Sequence, residues 1–295
     1  QLLSRAGVSF LQTLMKMMAL AVPISLANLV GELNWFAVEV LLVAIVGQSN
    51  GVMKRIVSVW LPHWRIDLEH HWSRDCATPS EPLVLTSEVN GINRLTSACP
   101  NAQALGLRPP MTLTDACALV PTLKIAADNS IFAAKALAKL ADWATRFTPW
   151  VAINGTDGLW LDITGCSDLF GGEGMLLDRL RQGLARLNIT AHVAVADTAG
   201  AAWAMTHFTT NDEIPPSKNR ASLTPLPVAA LRLEASIVKN LKLMGLSHIG
   251  DLLSLPRASL SERFGHELLV RLDQALGVIP EPISPRRPIP TFIVR

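Results

Sequence analysis

Tyrosine is absent from this sequence of 295 residues, and charged residues are scarce, at 17% of the chain. The absence of tyrosine excludes a phenol as a catalytic acid, a base or a stacking platform. Lys and Arg number 26 against 24 Asp and Glu, so the chain also lacks the positive excess of a stand-alone nucleic-acid binder. The 49% of hydrophobic residues excludes intrinsic disorder and a collagen-like fibre, and it is sufficient for a sizeable core.

Cysteines and the common ligand-binding motifs are also sparse. The wide spacing of the cysteines argues against a disulfide framework or a zinc site and favours reduced, buried thiols at Cys76, Cys99, Cys117 and Cys166. No metal site is predicted elsewhere, since the pair His70-His71 has no second cluster of ligands. The sequence has no Walker loop, no GxGxxG and no nucleophile elbow, and it therefore predicts no cofactor.

The first 52 residues carry only four charges and contain two apolar runs, at 17–31 and 35–47. Each run is shorter than the roughly 20 apolar residues that span a bilayer, and Glu39 interrupts the second. Three interpretations stay open: a membrane anchor formed by 17–47, a buried helical hairpin, or a leader foreign to the native protein. The third rests on Met53, which directly precedes a strand-like segment, as an initiating methionine would.

Residues 53–208 alternate between strand-like and helix-like segments. The β-branched run IVSVWLP at 56–62 ends in a proline and predicts a buried strand. Residues 150–164 predict two strands that meet at the turn Gly155–Gly158, because Asp-Gly is a strong hairpin signal. Helices are predicted at 132–147, 175–187 and 199–208, shorter helices within 99–130, and further strands at 82–88 and 189–197. This order favours an α+β fold, in which helices pack on one face of an antiparallel sheet.

The C-terminal third differs in composition from the rest. Residues 209–220 are polar, contain two prolines and predict a linker. Residues 226–277 predict several short helices. The last stretch, 278–295, holds five prolines and predicts a connector to a missing part of a longer protein.

In this order the elements resemble the Y-family (translesion) DNA polymerases, over about 56–290. The motifs that carry the resemblance are IVSVWLP, AQALGLRPPMTLTDACALVP, NGTDGLWLDITG, HVAVADTAGAAWAM, MGLSHIGDLLSLP and RFG. The phrases most similar to the ImuB branch, the polymerase-like proteins of bacterial mutagenesis cassettes, are WLPHW, TDGLWLDITGCSDLFGG and GDLLSLPRASLSERFG.

The resemblance implies a division of the chain into polymerase-like domains, with a palm made of an antiparallel sheet and helices. The implied parts are a hydrophobic leader (1–52), the palm (53–82 and 131–208), small fingers (83–130), a linker (209–222), a helical thumb (223–277) and a Pro-rich connector (278–295) to an absent little finger.

Enzymes of the family hold two metal ions with one Asp from the end of the first strand and an adjacent Asp-Glu pair from the hairpin. The first position falls on Leu61, or on Trp60 with a shift of one residue, and neither side chain ligates Mg²⁺. The pair falls on Asp157 and Gly158, so only Asp157 remains, as a vestige. Asp162 belongs to the same hairpin and is expected to be structural rather than to rebuild a metal site.

The positions that grip the nucleotide triphosphate are also replaced. The family's Tyr and Arg of the fingers fall on Pro100 and Gln103, and its opposing Lys falls on Ala199. Asp197, next to Ala199, would repel phosphate. The resemblance therefore implies that no catalytic residues remain.

The implied function is that of a non-catalytic adaptor in DNA-damage-induced translesion synthesis, in the bacterial cytoplasm. By resemblance, its partners are an error-prone replicative-type polymerase, a RecA-like accessory protein and the sliding clamp, although the usual partner regions lie beyond the thumb. The alternatives are an active polymerase with an atypical metal site and the membrane-anchored protein. Weak, salt-sensitive DNA contacts are expected in the thumb at Lys239, Lys242, Gly245, Gly250, Arg257, Arg263 and Gly265.

Overall fold

The structure, a computed structural model, describes residues 53–72, 81–210 and 212–286. The predicted leader, its apolar runs and Cys76 lie outside these residues, as does the second half of the Pro-rich connector, 287–295. The strands are β1 (Ile56–Trp60), β2 (Leu83–Val89), β3 (Ile92–Ala98), β4 (Lys124–Ala127), β5 (Val151–Asn154), β6 (Gly158–Asp162) and β7 (His192–Ala196). The α-helices are α1 (Trp64–Trp72), α2 (Pro100–Ala104), α3 (Leu113–Leu119), α4 (Ser130–Ala144), α5 (Glu173–Arg186), α6 (Ala199–Phe208), α7 (Asn219–Leu223), α8 (Ala235–Leu243), α9 (Ile249–Leu253), α10 (Arg257–Phe264) and α11 (His266–Leu276). Within the described ranges, none of these helices is both long and apolar enough to cross a membrane.

The main sheet has the strand order β5-β6-β1-β7, and all of its neighbouring strands are antiparallel. Side chains alternate between its two faces along β1. Val57 and Val59 are fully buried in a cluster that also contains the leucines of α4 and α5. Ile56, Ser58 and Trp60 therefore lie on the opposite face. The predicted α+β fold with an antiparallel sheet is confirmed.

The helices lie on both faces of this sheet, so the expectation of a single covered face was wrong. α6 packs across β1 and β7 on the face of Ser58, whose Oγ lies 3.3 Å from Thr206 Oγ1. Ala194 and Ala196 of β7 belong to the same buried cluster as the alanines of α6. Small side chains on this face allow the close approach, and they weaken the hydrophobic signal that would have predicted it.

Residues 81–127 form a separate small layer. β2 lies between β3 and β4 in a second sheet, with an antiparallel and a parallel neighbour respectively. Neither β3 nor β4 was predicted, because both carry few buried apolar residues and β4 has only four residues. This layer has its own core, which also takes in Ile66 of α1. The predicted fingers-like region therefore has an independent hydrophobic cluster.

The polar stretch predicted as a linker is packed against the main sheet. Ile214, its only large apolar residue other than proline, is fully buried and donates its N–H to the carbonyl of Val195, at 2.9 Å. α7 begins at Asn219, inside the predicted linker. The helices from α7 to α11 share one buried cluster with β7 and α6, so the palm-like and thumb-like parts have a continuous core.

The described cysteines are all free thiols. Cys99 and Cys166 are buried, whereas Cys117 is only half-buried, so burial was predicted correctly for two of these three. Burial raises the pKa of Cys166 to about 11. The thiol of Cys166 therefore stays protonated at neutral pH.

Candidate functional site

The end of β1 meets the turn between β5 and β6. Trp60 pairs with Gly158 in the antiparallel register, and the N–H of Leu61 donates to the carbonyl of Asp157, at 2.8 Å. The structure therefore brings together the three positions that align with the family's metal-binding carboxylates: Leu61, Asp157 and Gly158.

Two of these positions are closed to metal ligands. Leu61 is fully buried and belongs to the main core cluster. A Cβ atom at Gly158 would lie 3.1 Å from the carbonyl oxygen of Asn154 and 3.2 Å from that of Val59. Both neighbours are backbone atoms of paired strands, so a longer side chain at Gly158 requires the strands to shift. The backbone itself disfavours a glutamate here.

The remaining carboxylate, Asp157, is bonded to an indole. Trp60 Nε1 donates to Asp157 Oδ2, at 3.1 Å. The Trp60 ring stacks on His207 with 4.1 Å between centroids, and His207 stacks on Trp203 at 3.9 Å. We call Trp60, His207 and Trp203 the aromatic stack. It runs from the end of β1 along α6, on the face of the sheet that α6 covers.

His207 is held as a neutral ring at the centre of this stack. Its Nδ1 lies 2.9 Å from the carbonyl oxygen of Trp203 and 3.0 Å from Thr206 Oγ1. Burial lowers the pKa of His207, and this outweighs the opposing effects of the Trp203 carbonyl and the charge of Asp157. The Trp203 carbonyl requires Nδ1 to carry the proton. His207 therefore takes part in the stack as an uncharged ring.

Arg232, from the turn before α8, extends the stack into the thumb-like part. Its guanidinium lies 5.5 Å from the ring centre of Trp160 and 5.9 Å from that of Trp203. It also donates to both carboxylate oxygens of Glu281, at 2.7 and 2.8 Å. In the family that the sequence resembles, a glycine is expected at this turn. Arg232 has the left-handed φ of 58° that favours glycine. The turn is therefore bonded to the palm-like face and to the C-terminal connector.

The other acidic residues of this region have structural partners. Asp162 accepts from the N–H and the hydroxyl of Thr164, at 3.0 and 2.5 Å, and it pairs with Ile56 at the far end of β1 from Trp60. Across the described ranges, no group of three or more His, Cys, Asp or Glu residues is placed to hold a metal ion.

The aligned nucleotide-binding positions are dispersed. Pro100 is exposed at the start of α2, while Gln103 donates to the carbonyl of Ala98, at 2.8 Å. Ala199 starts α6 at the end of the sheet opposite to Asp157. The structure therefore does not bring Ala199 to the remaining carboxylate.

Asp197 is an ion-pair partner rather than a free charge. It accepts from Arg55 Nη1 and from the N–H of Ser217, both at 2.7 Å. Arg55 is only 6% exposed and also binds Glu173 through two nitrogens, at 2.8 and 2.6 Å. The expected repulsion of phosphate by Asp197 is therefore reduced by a buried arginine that sequence reasoning missed.

The DNA-contact candidates of the thumb fall into two groups. Lys239 and Lys242 are exposed on α8 and line one groove. Arg257, by contrast, is bonded to Asp273 of α11 at 3.0 and 2.5 Å, which engages its guanidinium in joining two helices. Arg263 is exposed near the end of α10.

The three glycine candidates are explained by local geometry. Gly245 and Gly265 have φ values of 81° and 85°, and each follows the end of a helix. A Cβ at Gly250 would lie 2.9 Å from Thr224 Cγ2, and the N–H of Gly250 donates to the Thr224 carbonyl, at 2.9 Å. The Gly250 N–H is thus already used within the protein.

The aromatic stack was not predicted from the sequence. Trp60 appeared as a failed metal ligand, and neither Trp203 nor His207 was singled out. A signal was present, since the chain has eight tryptophans and no tyrosine. That count does not say which rings meet.

Comparisons with known proteins agree on the family. A model of the impB/mucB/samB family matches residues 73–207. Protein ImuB from Caulobacter vibrioides is 48% identical over 185 residues, which are 62% of this chain and 40% of that protein. DNA polymerase IV from Shewanella woodyi is 25% identical over 191 residues, which are 63% of this chain and 52% of that protein. The chain thus spans about two fifths of the ImuB relative.

Solved structures share the fold at low sequence identity. DinB from Sulfolobus solfataricus matches with a TM-score of 0.65 and 16% identity, and the insertion ternary complex of Dbh DNA polymerase with 0.67 and 18%. Each match covers 78% of this chain and 69% of the other. The chain is thus similar in sequence to the impB/mucB/samB family and to ImuB, and it has the fold of the Y-family polymerases.

Proposed function

We propose that this chain is a non-catalytic member of the polymerase fold that acts as an adaptor in DNA-damage-induced translesion synthesis and mutagenesis. One observation carries the proposal: the aligned metal position holds a single carboxylate, Asp157, bonded to the indole N–H of Trp60. Transfer of a nucleotide to a primer requires two metal ions about 3.5–4 Å apart, held by clustered carboxylates. A buried leucine and a glycine do not supply the missing ligands.

The adaptor role is supported by what the fold retains. The sheet, the fingers-like layer and the thumb-like helices are kept, while the protein's own aromatic rings stack beside the remaining carboxylate. A scaffold of this kind can position DNA and other proteins without chemistry of its own. Its proposed partners are DNA, bound weakly, an error-prone replicative-type polymerase, a RecA-like accessory protein and the sliding clamp.

The catalytic part of the proposal is tested by primer extension together with metal binding. We expect no template-dependent incorporation with Mg²⁺ or Mn²⁺, and no difference in Mn²⁺ binding between the wild type and Asp157→Ala. Incorporation that Asp157→Ala abolishes would show an active polymerase with an atypical metal site.

The adaptor part is tested in the bacterium that encodes the protein. Loss of the gene is expected to lower the damage-induced mutation frequency, and the gene carrying Asp157→Ala is expected to restore it fully. A variant that fails to restore mutagenesis, although it accumulates to the wild-type level, would contradict a non-catalytic role.

A further inference from the structure

We infer that the outer face of α8 is a docking groove for an acidic, amphipathic helix of another protein. The groove, here called the thumb groove, has a volume of about 580 Å³. Its lining residues are Ala229, Leu233, Ala235, Val238, Lys239, Lys242 and Leu243. The inference rests on the adaptor function proposed above and deepens it, because it names a surface and the chemistry of the partner.

The lining residues of α8 form one continuous stripe. Positions 235, 238, 239, 242 and 243 follow the i, i+3, i+4, i+7, i+8 spacing of a single helix face. The opposite side of the helix supplies Leu241, which is fully buried in the core cluster. α8 therefore has one apolar face that is fully buried and a second that is partly buried at Val238 and exposed at Leu243.

The exposure of the second face is large for apolar side chains. Leu243, at the C-terminal end of the stripe, is 75% exposed. Exposed apolar surface concentrated in a concave site is typical of a protein interaction site. A groove along a helix of nine residues matches two to three turns of a bound helix.

The charged residues of the thumb groove indicate which kind of partner helix can bind there. Lys239 and Lys242 lie on the same stripe as the apolar residues, and both are exposed. A partner helix with leucines on one face and carboxylates beside them would satisfy both features. Glu234, at the N-terminal end of α8, is also exposed. Its negative charge disfavours carboxylates of the partner helix at that end of the thumb groove.

A nucleic-acid backbone fits this surface less well. The Glu234 carboxylate at the start of α8 repels a phosphate that approaches the helix N-terminus. Arg232, in the turn before α8, is bonded to Glu281 and faces the palm-like sheet. Five of the seven lining residues are apolar and offer no hydrogen bond to phosphate. Two lysines at an apolar groove therefore favour a protein partner.

The probe for this test is a fluorescein-labelled synthetic helical peptide with leucines at i, i+3, i+4 and i+7 and glutamates at the flanking positions. Anisotropy titration of the protein is expected to give saturable binding, weakened at least tenfold by Leu243→Asp. Ile131→Asp is the matched control, because Ile131 is 70% exposed on a different helix. The double variant Lys239→Glu/Lys242→Glu should lose the glutamate peptide and bind its lysine counterpart, whereas Lys135→Glu/Lys139→Glu should behave as wild type.

Two results would overturn the inference. One is the absence of saturable peptide binding, or binding that Leu243→Asp leaves unchanged. The other is a loss of duplex DNA binding in the lysine double variant with no effect on the peptide, which would make the surface a nucleic-acid site. Either failure leaves the adaptor proposal standing, since primer extension and mutagenesis assays test it independently.

Discussion

At the scale of single residues, the buried guanidinium of Arg55 joins three segments of the chain. It binds Glu173, Asp197 and, at 2.9 Å, the carbonyl of Ile214. The carboxylates of Glu173 and Asp197 are only 20% and 18% exposed, so removing Arg55 leaves two poorly solvated charges without their cation. The first residue before β1 thus stabilises the packing of α5 and of the segment beyond β7.

We expect Arg55→Met to reduce the free energy of unfolding by about 3–5 kcal/mol, the usual cost of breaking a buried ion pair. Urea unfolding followed by tryptophan fluorescence measures the loss. Lys124→Met is the control, because Lys124 pairs with Glu81 at the surface, where an ion pair contributes about 0–1 kcal/mol. Equal losses for the two variants would contradict the role assigned to burial.

His207 predicts how stability depends on pH. Its pKa in the folded protein is below the ordinary value of 6.5, mainly because of burial, so the unfolded chain binds a proton more readily. The stability contributed by neutral His207 is therefore present above about pH 6.5 and is lost as the pH falls through the lower folded pKa. Asp157, His192 and Arg232 are the charged or titratable groups that act on the ring.

We expect the free energy of unfolding to fall more between pH 8 and pH 5.5 in the wild type than in His207→Gln. The quantity compared is the change in the free energy of unfolding between the two pH values, taken for each protein separately. Stability that the variant loses equally at both pH values, such as lost stacking, therefore cancels. Denaturant titrations at the two pH values measure it. An unchanged difference would mean that folding does not shift the pKa of His207.

At the scale of elements, the contact between α4 and α5 depends on a glycine. Gly183 lies within α5, and a Cβ there would come within 2.6 Å of Trp143 Cζ2, on α4. Helix propensity alone would favour alanine by about 1 kcal/mol. Close packing against a rigid indole favours glycine instead.

We expect Gly183→Ala to destabilise the protein by about 1–3 kcal/mol, the usual cost of overpacking. Gly174→Ala, in the same helix but with no atom within 4 Å of its Cβ, should be neutral or stabilising. Thermal or urea unfolding distinguishes the two. A stabilising effect of Gly183→Ala would show that the indole moves away at little cost.

At the scale of the whole molecule, the thumb-like helices share a buried cluster with β7 and α6 of the palm-like part. Arg232 adds bonds across the same junction, to Glu281 and over Trp160 and Trp203. The segment predicted as a linker is packed onto β7 by Ile214. These contacts favour unfolding of both parts as one unit.

Two optical probes can test this cooperativity, because no tryptophan lies within 223–277. Tryptophan fluorescence therefore reports on the palm-like part, while far-UV circular dichroism also reports on the thumb-like helices. We expect the two urea transitions to coincide in the wild type. In Arg232→Ala, the circular dichroism transition is expected to begin at a lower urea concentration. Transitions that are already separate in the wild type would contradict a shared core.

The sequence by itself determined the main elements and their meeting point. The β-branched run in 56–62, the Asp-Gly turn and the helical spacing after 131 are local patterns, and local patterns suffice to predict β1, the hairpin and α4. They fail for β3 and β4, which bury few residues, and for the segment around Ile214, whose single apolar side chain gives no period. Local patterns also did not predict the side of the sheet on which α6 packs.

The loss of two metal ligands, at Leu61 and Gly158, was predicted from sequence through resemblance to the polymerase family, and Asp157 was predicted to remain. Only the tertiary structure decided what the Asp157 carboxylate meets: the indole of Trp60, and beyond it His207, Trp203 and Arg232. These groups come from β1, α6 and the turn before α8, so no periodicity links them. Their contact is a product of packing, because rings distant in sequence stack only where the sheet, the helix and the thumb-like turn bring them face to face.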